Sequence, residues 1–164
     1  MRKLNFILTI MILLSSSCEK EETDFPVYFY APTIHGYYVT DDFGNMVELI
    51  GVDDMKYHDQ RLDTVPFSNY ILLNTFPNPC ISYVNIYIGG QNIIKKIWIV
   101  PARASEGLPY CMNANCLIVR GQPIYAVETD AAYFTIDLSS YEYNYYRIYV
   151  KIDDILLWNN IVKQ

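Results

Sequence analysis

The chain has 164 residues, with 18 acidic against 12 basic side chains and a formal charge of −6 at pH 7. That balance argues against nucleic acid or an anionic bilayer surface as a partner, since both repel an acidic body. Tyrosine alone supplies 16 residues, a richness that with many Ile and Val favours strands over helices, and the length fits one domain or a small pair.

The chain opens with Arg2 and Lys3, an apolar run from Leu4 to Leu14, and the hexapeptide Leu13-Leu14-Ser15-Ser16-Ser17-Cys18. The run, about 11 residues, is shorter than the ~20 that a spanning helix needs. A basic start, a short apolar core and small residues before a cut describe a secretory signal peptide over residues 1–17. The hexapeptide resembles the lipobox of bacterial lipoproteins. The resemblance implies that Cys18 becomes the acylated mature N-terminus, held at a membrane by several lipid chains. Removing residues 1–17 takes away Arg2 and Lys3 and no acid, so the formal charge moves from −6 to −8.

Residues 18–26 read as an acidic tether. Within them Lys20-Glu21-Glu22 resembles the lysine-plus-acidic signal with which Gram-negative bacteria display lipoproteins on the cell surface. This implies an outer-membrane location, facing the cell exterior. Residues 27–68 carry short β-prone runs expected to pack on or beside a larger sandwich, because about 45 residues are too few for a core of their own. Val27 to Tyr30 is one such run, ended by Pro32. Gly36 to Thr40 and Met46 to Val52 flank Asp41-Asp42-Phe43-Gly44-Asn45, a hairpin loop. Asp53 to Pro66 is polar and irregular, with a helical turn expected over Asp54 to His58.

From residue 69 onward short strands dominate. Tyr70 to Leu73 is followed by Ser82 to Ile88, which alternates with Val84, Ile86 and Ile88 on one face and Tyr83, Asn85 and Tyr87 on the other. Ile94 to Val100 follows the Gly89-Gly90 turn. Ala102 to Cys116 reads as an excursion loop. The remaining strands are Leu117 to Val119, Ile124 to Val127, Ala132 to Leu138, Tyr145 to Ile152, Ile155 to Trp158 and a final Ile161-Val162. The pattern predicts an all-β protein, an antiparallel Ig-like β-sandwich over residues 69–164.

One order of residues points further. Asn74-Thr75-Phe76-Pro77-Asn78-Pro79 precedes the alternating strand and Lys96-Ile97-Trp98-Ile99-Val100. Later, Phe134-Thr135-Ile136-Asp137-Leu138-Ser139 leads to Tyr146-Arg147-Ile148-Tyr149-Val150, Asp153-Asp154 and Ile161-Val162-Lys163. This stretch, roughly Tyr70 to Gln164, is similar to the sorting domain of type IX secretion cargo and to the Ig-like domain of flagellar hook-capping proteins. The resemblance implies the sandwich fold. A chain already carrying a lipid anchor has no need of a sorting tail.

The chemistry-bearing residues are sparse. Cys111 and Cys116 could close a small disulfide loop in an oxidising compartment; the rival readings are a metal site, disfavoured by the spacing and the lack of a nearby histidine, and two reduced buried thiols. Cys80 reads as a small core residue. The histidines, His35 and His58, share no motif with a cysteine nucleophile. The acidic pairs Asp41-Asp42, Asp53-Asp54 and Asp153-Asp154 read as turn residues. Trp98, Tyr143 and Tyr145 are the candidate aromatic binding surface, and one of Tyr145 and Tyr146 is expected to face outward if the sheet is covered on one side. The expectation is a non-enzymatic binding or assembly lipoprotein without a cofactor or metal, its partners the membrane and outer-membrane or surface proteins. An accessory glycan-binding module of a polysaccharide-uptake system is the alternative.

Overall fold

The computed structural model describes residues 31–59, 61, 72–89, 93–109, 123–142 and 144–164. Among them there is no α-helix, and the sheets are mainly antiparallel. A three-stranded sheet has the order β4 (Leu73–Phe76), β5 (Tyr83–Ile88), β9 (Tyr133–Asp137). A four-stranded sheet has the order β11 (Ile155–Val162), β10 (Tyr145–Ile152), β6 (Lys95–Pro101), β8 (Tyr125–Thr129).

Alternation explains how the two sheets face each other. Val84, Ile86, Ile88 and Ile136 from the smaller sheet meet Ile97, Ile99, Tyr146, Ile148, Val150 and Leu157 from the larger in one buried cluster. Each buried aliphatic side chain of this kind stabilises the fold by roughly 1.5–3 kcal/mol. Tyr125 stacks on Phe134 with ring centroids 6.5 Å apart, joining the β8 and β9 sides.

The N-terminal part adds a third layer. β2 (Gly36–Thr40) and β3 (Met46–Gly51) form an antiparallel hairpin with a register shift between Val39 and Thr40. β1 (Thr33–Ile34) pairs in parallel with β7 (Arg103–Ala104). Together they bring Ile34, Tyr37, Ala102, Leu108, Tyr145 and Val162 into a second cluster on the far side of the larger sheet. The alternating positions of β10 are therefore buried on both faces. Tyr145 and Tyr146 are 2% and 0% exposed, which corrects the expectation that one of them faces out.

Other expectations also meet the fold. The loop Asp41 to Asn45 does join two strands, and Asp41 closes it by accepting the amides of Phe43 and Asn45 at 2.9 and 2.8 Å. The segment Asp54 to His58 is not a helical turn. Its main chain instead bridges β11 at Lys56–Trp158 and reaches Leu72 from His58, because a sheet edge offers it partners that a lone turn lacks. The excursion loop after Ala102 begins with the strand β7, and the last two predicted strands are one, β11. Val27 to Tyr30, Tyr70, Ile71 and Leu117 to Val119 lie outside the described residues.

Candidate binding surface

Three groups of polar or exposed residues are candidates for a site. The first is a buried polar junction. Asn78, 1% exposed and set between Pro77 and Pro79, uses its whole amide. Its Nδ2 donates to the carbonyls of Tyr38 and Asn160 at 2.8 and 2.9 Å, and its Oδ1 accepts the Val162 amide at 2.8 Å. Nearby, Asp54 accepts from Arg147 Nη2 at 2.7 Å, Asn160 Nδ2 at 2.7 Å and the His35 amide at 3.2 Å. Asn160 also donates to the Gly36 carbonyl and accepts from Arg147 Nε. Together these contacts tie the N-terminal layer and the Pro77–Pro79 corner to β10 and β11, so the junction holds layers together.

The second is the β2–β3 hairpin. β3 is exposed along nearly its whole length, with Val47 67% exposed and Met46 and Leu49 beside it, and Phe43 at the loop is 86% exposed. The register shift places Met46 opposite Thr40 and Leu49 opposite Tyr38, with Val47 as the extra residue of β3 between them, so all three apolar side chains line an exposed strand. Among the described residues β3 pairs with β2 alone. Its other edge resembles the template for strand addition. Beneath the hairpin's end, a depression of about 480 Å³ is lined by His35, Ile50, Ser105, Glu106 and Leu108 among others.

The third is the outward face of β5 and β9. Tyr83, Tyr87 and Tyr133 are 57%, 42% and 53% exposed, and Tyr87 lies directly across from Tyr133. Thr135 Oγ1 donates to Asn85 Oδ1 at 2.7 Å between them.

The sequence-predicted site residues fall elsewhere. Trp98, 1% exposed, stacks on Tyr149 with ring centroids 5.4 Å apart, and Tyr145 donates its hydroxyl to the Pro109 carbonyl within the second cluster. Neither presents a ring to solvent, because each sits on the sheet covered from both sides. Cys18, Cys111, Cys116 and Tyr143 lie outside the described residues. Cys80 is buried, as a small core residue would be, and burial pushes its thiol up to about 11. Among the described residues no group of three or more His, Cys, Asp or Glu could hold a metal. Tyr38 donates to Asp53 at 2.6 Å, and that carboxylate holds the phenol well above its ordinary range.

Comparison with protein-family profiles, with curated proteins and with solved structures finds no match in any of the three.

Proposed function

We propose that this chain is a lipid-anchored, non-catalytic lipoprotein of the outer membrane, displayed towards the cell exterior, whose Ig-like β-sandwich serves binding or assembly. The observation that carries the binding reading is the β2–β3 hairpin, with Met46, Val47 and Leu49 exposed along an edge strand. Such an edge gains main-chain hydrogen bonds and buries its apolar rows when a partner strand adds to it. The sandwich reading is supported by strand order: β4-β5-β9 facing β8-β6-β10-β11 follows the succession of an Ig-like sandwich of two sheets. The anchor reading rests on the sequence around Cys18.

The test is the size of the full chain extracted from membranes in mild detergent. The reading expects it to elute as an assembly larger than one detergent-bound chain, and the pair Val47→Lys with Leu49→Lys to return it to the single-chain size. Both side chains being exposed, the thermal midpoint should stay within a few degrees. Equal elution of the two proteins at the single-chain size contradicts the proposal.

A further inference from the structure

The outward positions of β5 and β9 are Tyr83, Asn85, Tyr87, Tyr133, Thr135 and Asp137. None is aliphatic and none is basic. This composition differs from that of the hairpin, where the exposed side chains are mostly Val, Leu, Met and Phe. The face alternates aromatic rings with an amide, a hydroxyl and a carboxylate, so each ring has a hydrogen-bonding neighbour.

The rings are laid out on a rigid support. Tyr83 and Tyr87 are four residues apart on one strand, about 13 Å at 3.3 Å per residue. Tyr133 lies opposite Tyr87, about 5 Å away across the ladder. Its ring is steadied by Phe76, with centroids 6.2 Å apart and planes tilted by 51°. The hairpin loop forms a border on the β4 side, where Asn74 Nδ2 donates to the Gly44 carbonyl at 2.8 Å.

We infer that this face is a carbohydrate-binding site, and that its ligand is a neutral glycan more than one sugar ring long. A pyranose ring has an apolar C–H face and a rim of hydroxyls, which is the complement of tyrosines set among Asn85, Thr135 and Asp137. Asp137 and the acidic chain disfavour an anionic polymer. A protein partner burying this face would have to desolvate the Asn85 amide and the Asp137 carboxylate as well as the rings.

Affinity gel electrophoresis of the detergent-solubilised full chain tests this, with glycogen, laminarin, galactomannan and xyloglucan as neutral probes and polygalacturonate as the charged one. At least one neutral polysaccharide should retard the protein. Tyr87→Ala and Tyr133→Ala should each weaken that retardation about tenfold, while Tyr87→Phe, which keeps the ring, should change it little. Circular dichroism melting of the same variants checks that they are folded, as exposed substitutions should be. The hairpin variant Val47→Lys with Leu49→Lys should bind glycan as before, so loss of assembly and loss of glycan binding are told apart. Unaltered migration in all four neutral gels overturns the inference. So does retardation by polygalacturonate alone, or retardation that survives the replacement of all three tyrosines by Ala. A triple variant that alters the size of the assembly instead would assign the face to a protein partner.

Discussion

At the scale of single residues, Asn78 shows how a polar side chain can tie distant segments. Its amide meets the backbone of β2 and β11 simultaneously, and water cannot replace those bonds at a position 1% exposed. Asn78→Ala would leave two carbonyls and an amide unpaired, at about 1–3 kcal/mol for each group that finds no new partner. Urea unfolding should show a loss of about 3 kcal/mol or more, and a loss under 1 kcal/mol would contradict the role. Cys80 offers a pH test. Its thiol titrates near 11 when folded, against an ordinary 9.0. The unfolded chain therefore loses the proton first, so stability is fully present below about 9 and falls as pH rises towards 11. The fall approaches about 1.4 kcal/mol per pH unit within that window. Unfolding free energies at pH 8 and 10.5 should converge between the chain and Cys80→Ala as this contribution is lost; a constant difference would refute it.

At the scale of elements, the hairpin depends on two glycines. Gly51 has φ +82°, and a Cβ there would stand 2.2 Å from the His35 carbonyl oxygen. Gly36, its cross-strand partner, has no more room, with the Val52 oxygen 2.3 Å from a built Cβ. Gly51→Ala should cost about 1–3 kcal/mol locally. Amide exchange should then speed up in β2 and β3 while β5 and β10, held by the main core, keep their protection. Uniform acceleration would mean that the hairpin and the sandwich unfold as one unit. The elements also show what the sequence makes legible. Alternation in Tyr83 to Ile88 placed its three aliphatic residues inward and its tyrosines outward, because a period of two is written locally. The turn of Asp41 to Asn45 was readable for the same reason. The burial of Trp98 and Tyr145 was not, since it depends on a layer contributed by residues far away in the chain. Nor was the extended path of Asp54 to His58, which is decided by a hydrogen-bonding edge on β11.

At the scale of the whole molecule, the described residues form two facing sheets with a further layer on one outer side. The layered side is closed by the Asp54–Arg147–Asn160 junction, while the opposite side keeps its tyrosines exposed. A binding role therefore has two distinct surfaces to draw on, the hairpin edge and the tyrosine face. Both gain meaning from the proposed placement of the chain. A tether of residues 18–26 at Cys18 would hold the sheets close to a membrane yet free to meet partners beyond it. The measurement that tests this most directly is protease treatment of intact cells carrying the full chain, followed by quantification of the chain in the outer-membrane fraction. The account predicts that the chain sediments with that fraction, is digested while a periplasmic marker survives, and leaves the membrane when Cys18→Ala is introduced. A chain that stays protected, or that remains membrane-bound without Cys18, would contradict it.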